Sequence, residues 1–134
     1  MRISDLKHGM ILDSSDLLEV FGCSPQGGMC RSYKTNTLVL ISDQTKLYHD
    51  RWADDVFLYT GMGQRGDQNF FYSQNKTLYE SRANGVDVHF FEVTHPKQYT
   101  YQGIFELAGT PYMEKQTNQD DESRQVCIFP IKRK

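Results

Sequence analysis

The chain has 134 residues and a mass of 15.6 kDa, the size of one domain whose core needs no stapling. Lys and Arg number 15 against 17 Asp and Glu, a net charge of −2, which excludes a uniformly basic, histone-like binder but leaves room for a local basic face. Mean hydropathy is −0.62, no apolar run approaches the ~20 residues of a membrane span, and the opening MRISDLKHGM lacks the apolar stretch of a secretory leader.

Residues 1–25 hold one early helix, with Asp16 as its cap, Glu19 in the capping-box position and Gly22 as its stop. A Gly-containing loop, SPQGGM, follows. Thr37 to Ser42, TLVLIS, is a β-branched apolar run and reads as a buried strand. Residues 43–55 lack periodicity and read as a long loop, the kind that in compact domains usually carries function. Val56 to Thr60, VFLYT, is a second strand, and Gly61 to Gly66 form a Gly-rich turn. Residues 67–83 read as a helix because Phe70, Phe71, Gln74, Leu78 and Tyr79 recur at helical spacing. Asn84-Gly85 ends it, and the rest is a run of strands: VDVHFFEV, YTYQGIFELAG, PYMEKQ and RQVCIFPI, the last pair joined across NQDDES. The expected architecture is α+β and mostly β, a curled mixed sheet of five or six strands with two helices in a single domain, 1–134.

Eight Tyr, eight Phe and one Trp make up 13% of the chain, more rings than a small core requires. Cys23, Cys30 and Cys127 are an odd set without a CxxC pair. They read as buried, inert thiols in a cytoplasmic protein rather than as a disulfide framework. His8, His49, His89 and His95 have no companions at metal-ligand spacing, so no metal and no cofactor is expected. Gly61, Gly63 and Gly66 spell GxGxxG, and Asp87 follows at about the spacing a dinucleotide site uses. Such a site needs βαβ crossovers, however, and this chain ends in consecutive strands. A tight turn or a close backbone approach is the expected reason for the glycines. His49-Asp50 is half of a metal phosphohydrolase motif without its other ligands, and no nucleophile stands with a base, so no catalytic residue is expected.

Tyr48, Asp50 and Trp52 precede VFLYTG, which brings Tyr59 and Thr60. Two tyrosines, a carboxylate and a hydroxyl can enclose a planar, amide-like ring. Each aromatic face stacks on a base with about 1–3 kcal/mol, and a carboxylate accepts from an exocyclic amine such as that of cytosine. The bland alternative is that the rings are core and that Asp50 is a cap or solvated.

The stretch LVLIS…YHDRWADDVFLYTGMGQRGDQNFFYSQNKTL, with YTYQGIFEL and RQVCIFPIKR later, resembles an SRA (SET- and RING-associated) domain over residues 20–134. It is most similar to the N-terminal domains of bacterial modification-dependent restriction endonucleases of the HNH type. The resemblance implies a PUA-like fold, a partial β-barrel, that flips a modified cytosine (5-methylcytosine or 5-hydroxymethylcytosine) out of duplex DNA. It implies Tyr59 and Tyr48 as the stacking pair, with Thr60 and Gly61 following, and Asp50 as the reader of the cytosine edge, with Asp54 or Asp55 as substitutes. Ile41, Ser42 and Asp43 would line the pocket with backbone groups. Met62 stands where a small residue often contacts the methyl group. Gln26, Gly27 and Gly28 match the loop that fills the hole left by the base. The second DNA loop is shortened to Gln64-Arg65. Asp67, Gln68 and Asn75 match the helix that buttresses the pocket. Arg31, Lys34, Lys76 and Arg82 are expected on phosphates. On this reading the chain recognises and does not cut. A nuclease segment beyond Lys132-Arg133-Lys134 would cut and could mediate a homodimer. Other readings are a PUA-like module for RNA or a modified nucleotide, a small nucleotide hydrolase, and a protein-interaction barrel. No membrane partner is expected.

Overall fold

In the computed structural model the described residues are 1–24, 28–45, 50–117 and 122–134. A 3-10 turn (Ile3–Asp5) leads into β1 (Ile11–Leu12) and helix α1 (Ser14–Phe21). Then come β2 (Met29–Ser32), β3 (Thr37–Asp43), β4 (Arg51–Ala53), β5 (Val56–Thr60) and helix α2 (Gln74–Tyr79). The chain finishes with β6 (Asp87–His95), β7 (Gln98–Leu107), β8 (Tyr112–Thr117) and β9 (Ser123–Arg133). The strands form one sheet in the order β2-β3-β6-β7-β9-β5-β4, with β1 on β7 and β8 on β9. Only β3 and β6 run parallel; every other pair is antiparallel.

The sheet curls without closing. Trp52 on the edge strand β4 comes back over the sheet to meet Phe90 of β6 and Phe105 of β7, with ring centroids 6.5 and 6.2 Å away. The concave side holds the larger core, with Leu38, Leu40, Phe57, Tyr59, Phe90, Phe105, Phe129 and Leu78 of α2. The convex side holds a second core under α1, where Leu17, Val20 and Phe21 cover Val39, Ile41, Phe91 and Val93. Strand β3 is buried on both faces, which explains why TLVLIS reads as a continuous apolar run rather than an alternating one. A bulge sets Phe90 opposite Gly103 but Phe91 opposite Tyr101. The extra residue, Gln102, turns Tyr101 to the convex face, where its hydroxyl meets the buried His89 Nδ1 at 2.8 Å. Burial holds the His89 imidazole down at about 4 and pushes the Tyr101 phenol up to about 12.

The mostly-β curled sheet with two helices is as the sequence implies, and several local features differ. There are nine strands among the described residues rather than five or six. The additional ones, β1, β2 and β4, are only two to four residues long, too short to display an alternation. The cap of α1 is Asp13, whose carboxylate accepts from Asp16 N while Asp16 accepts from Asp13 N. Asp16 is therefore the third residue of the box, not its start. Gly22 ends the helix as expected, at φ 70°. The helix expected over 67–83 shrinks to Gln74–Tyr79 because the preceding residues are recruited elsewhere. Gln68 N donates to Gln125 O, Asp67 accepts from Gln125 N, and Ser73 adopts a positive φ of 49°. Part of the expected long loop is strand β4, which pairs with β5.

The cysteine reading is corrected. Cys23 and Cys30 form a disulfide and only Cys127 is a free, buried thiol. An odd count is compatible with one bridge. Cys23, just after α1, and Cys30, in β2, stand with their Cα atoms 6.1 Å apart. Burial pushes the Cys127 thiol up to about 11, so this one is inert. Among the described residues no helix is long and apolar enough to cross a membrane.

Candidate nucleic-acid interface

The end of β5 and the turn after it gather the residues singled out in the sequence. Asp50 lies just ahead of β4. One carboxylate oxygen accepts from Ser42 Oγ at 2.7 Å and the other from Thr60 N at 2.7 Å. Gln44 Nε2 donates to Ser42 Oγ at 2.9 Å. Burial pushes the Asp50 carboxyl above its ordinary value, while the two donors pull it back down. Thr60 Oγ1 is the one buried side-chain oxygen among the described residues that completes no hydrogen bond of ordinary geometry, although it stands near enough to the Asp50 carboxylate to help pull it down. Asp50 is thus not a helix cap, and it is half-buried; Asp54 and Asp55, its sequence alternatives, are exposed.

Tyr59 is 3% exposed. Its ring stands edge-on to Phe90 at 6.3 Å, and its hydroxyl donates to Gly28 O at 2.7 Å and to Ile41 O at 3.2 Å. Gly28 sits at φ 77°, and a Cβ there would come within 3.2 Å of that hydroxyl. Ile41 N donates to the same Gly28 carbonyl at 2.7 Å. Tyr59 therefore ties the chain at Gly28 to strand β3. Asp43 turns away to accept from Thr45 N. Gln26, Gly27, Tyr48 and His49 lie outside the described residues.

After Thr60 the chain is braced from below. Gly61 admits no side chain, since a Cβ would stand 2.8 Å from Asn75 Oδ1 and 3.0 Å from the Phe129 ring. Asn75 Oδ1 accepts from Met62 N, and its Nδ2 donates to Met62 O and Asn69 O. Gln68 donates to Gly61 O and Gly63 O and accepts from Cys127 N. Gln68 and Asn75 thus brace the turn after Thr60, and Asp67 accepts from Gln125 N of β9; of the three only Asn75 is helical. Met62 packs its side chain on the concave core. Gln64 and Arg65 are exposed at the turn, which Arg124 fixes by donating to Gly63 O at 2.6 Å.

The basic residues are dispersed. Arg31 lies over the Tyr33 ring at 4.6 Å and donates to Asn36, Ser32 O and Thr37 O. Lys34 donates to Glu19 O at the end of α1. Arg82 donates to Leu107 O and lines a shallow cleft with Val86 and Lys134. Lys76 is exposed on α2.

Two residues absent from the sequence reading belong here. One is Arg124. The other is Glu92 of β6, whose carboxylate accepts the Trp52 indole N–H at 3.2 Å to each oxygen. Val88, Phe90 and Glu92 share one face of β6, so an acid at an inward-facing alternation position was the available signal. Trp52 itself is 42% exposed, packs on Phe57 at 5.0 Å, and lines a second shallow cleft with Asp55, Phe105, Lys132 and Arg133.

No curated protein matches this chain. Solved structures do. The sulfur binding domain and SRA domain of ScoMcrA complexed with phosphorothioated DNA superposes at TM-score 0.77 and 18% identity, covering 96% of this chain and 40% of that one. The type IV phosphorothioation-dependent restriction endonuclease ScoMcrA gives 0.72 and 17%, covering 94% of this chain and 27% of that one. The SUVH5 SRA domain in complex with hemi-methylated CG DNA gives 0.68 and 20%, covering 96% and 89%. The present chain thus spans well under half of either ScoMcrA chain. The sequence model of the family described as "ScoMcrA-like, SRA domain" matches residues 9–133, beginning ahead of the stretch that carries the resemblance by eye. The chain belongs to the ScoMcrA-like SRA domain family.

Proposed function

We propose that this domain binds duplex DNA containing a modified cytosine, 5-methylcytosine or 5-hydroxymethylcytosine, by turning the base out of the helix. The base stacks between Tyr59 and Tyr48, and Asp50 accepts from its exocyclic amine. The observation that carries this reading is the Asp50 carboxylate, half-buried near Tyr59 and oriented by Ser42 Oγ and Thr60 N, next to Thr60 Oγ1, which completes no hydrogen bond among the described residues. A pre-oriented carboxylate and a hydroxyl with spare capacity are what a base edge completes. Flipping costs a few kcal/mol. Two stacked faces at about 1–3 kcal/mol each and a bond to a charged acceptor at about 1.5–3 kcal/mol offset it. Gln26, Gly27, Gly28, Gln64 and Arg65 approach the duplex, and Arg31, Lys34, Lys76 and Arg82 meet phosphates. Recognition serves a restriction system, in which a separate HNH segment cuts.

Binding of plain, methylated and hydroxymethylated duplexes by fluorescence anisotropy tests the reading. The modified duplexes bind more tightly, and Tyr59→Ala removes that preference more than it removes total affinity, because phosphate contacts hold any sequence. A 2-aminopurine beside the target brightens, and the DNA stays intact with magnesium or manganese added. Equal loss on all duplexes in Tyr59→Ala would overturn the pocket.

A further inference from the structure

We propose that Glu92, anchored by the Trp52 indole, is a second acceptor at the base site, selecting a cytosine whose 5-substituent ends in a hydroxyl over one bearing a bare methyl. The inference rests on the base-binding reading above and assigns its substrate class.

The placement comes from the sheet. Ser42 of β3 and Glu92 of β6 are register partners in the parallel pair, so their side chains leave the same face about 5 Å apart. Ser42 is the residue that orients Asp50, at 2.7 Å. Trp52, two positions after Asp50, crosses from β4 to bond Glu92. Glu92 thus neighbours two residues of the base site, Ser42 and Asp50, and is held by Trp52. Its carboxyl is raised by burial and by the neighbouring Asp50 charge, although the Trp52 bond opposes this.

The chemistry of cytosine decides which edge such a group faces. The exocyclic amine that Asp50 accepts lies between ring N3 and C5. An ionised carboxylate opposite N3, itself an acceptor, would be repelled. Opposite C5 it meets the substituent. The Trp52 N–H is shared between both Glu92 oxygens at 3.2 Å, while a carboxylate has about four acceptor directions, so capacity remains. A methyl group would strip water from those directions and give nothing in return. A hydroxymethyl group replaces the water with a donor to a charged acceptor.

The test is anisotropy on three duplexes that differ only in one base: cytosine, 5-methylcytosine or 5-hydroxymethylcytosine. The wild-type chain binds the hydroxymethylated duplex roughly tenfold more tightly than the methylated one, the size of one charge-assisted hydrogen bond. Glu92→Leu removes or inverts that ratio while keeping both modified duplexes above plain cytosine. The near-isosteric Glu92→Gln, which retains a neutral acceptor and the shape of the site, keeps part of it. A wild-type ratio near one, or a ratio that neither substitution moves, overturns the assignment of Glu92 and leaves the base-binding reading standing. Equal weakening on all three duplexes in Glu92→Leu puts the residue on the N3 edge and likewise overturns it. Wild-type indifference between plain and modified cytosine overturns the base-binding reading itself, and this inference with it.

Discussion

Two polar clusters flank the segment Tyr59 to Met62, and they are built on opposite terms. On one side Asn75 and Gln68, 0% and 6% exposed, spend every arm of their amides on backbone. Asn75 makes three bonds to Met62 and Asn69, and Gln68 makes three to Gly61, Gly63 and Cys127. On the other side Asp50 and Glu92 are carboxylates raised by burial, and Thr60 Oγ1 completes no hydrogen bond among the described residues. A buried polar group that is fully paired stabilises its surroundings, whereas one left with spare capacity costs stability. The saturated cluster is therefore scaffold. The unsaturated one is where the molecule has kept capacity for something outside itself.

The largest consequence falls on the scaffold side. Asn75→Leu leaves Met62 N and Met62 O unpaired, while Asn69 O keeps the Tyr72 N–H. At about 1–3 kcal/mol for each orphaned group, with partial relaxation, stability should fall by about 4 kcal/mol in urea unfolding. Loss of DNA binding should follow the unfolded fraction. A change below about 1 kcal/mol would mean that the amide is dispensable and would break the contrast.

A third buried polar group is accommodated only while neutral. His89, 2% exposed between Phe21 and Tyr101, is held at about 4 against an ordinary 6.5. Between those values the unfolded chain binds the extra proton and the folded one does not. Stability is therefore full above pH 6.5 and declines as the pH falls toward 4. The decline from this residue is about 3 kcal/mol. Urea midpoints measured from pH 7 to pH 4 should fall accordingly in the wild type, and His89→Gln should flatten the profile even if it is weaker at pH 7. An unchanged slope would place the acid sensitivity elsewhere.

What the sequence made legible follows from how local each feature is. The strands β3, β5, β6, β7, β8 and β9 declare themselves through apolar runs and alternation, and Gly22 ends α1 as its composition says. The buttressing role of Gln68 and Asn75 came through the family resemblance, not through periodicity. Periodicity instead assigned 67–83 to a helix, and the bonds from Asp67 and Gln68 to Gln125 on the distant β9 override that. The disulfide was hidden for the opposite reason. Only the placement of β2 beside the end of α1 brings Cys23 to Cys30, and no count of cysteines encodes that placement. Glu92 showed only as an acid at an inward-facing position; its meaning depends on the parallel pairing of β3 with β6, a contact between residues 50 positions apart.

The smallest expected change in stability is the most informative about the other cluster. Asp50→Asn keeps the shape of the side chain. Its amide oxygen can still accept from Thr60 N, and its amide nitrogen can donate to Ser42 Oγ, which reverses its role. What disappears is a charge that the folded state disfavours. Burial raises the folded carboxyl above 3.8, so the ionised form is a growing cost as pH rises through the window just above that value. At pH 7 its removal should therefore change stability by less than about 1 kcal/mol, in either direction. Recognition should respond differently. The asparagine nitrogen faces the cytosine amine donor to donor, so the preference for modified cytosine should collapse while binding to phosphates persists. Stability within error of wild type, together with loss of discrimination across the plain, methylated and hydroxymethylated duplexes, is the expected pair of results. A large loss of stability, on the scale of Asn75→Leu, would make Asp50 a strut like the residues across from it, and the distinction between the two clusters would fall.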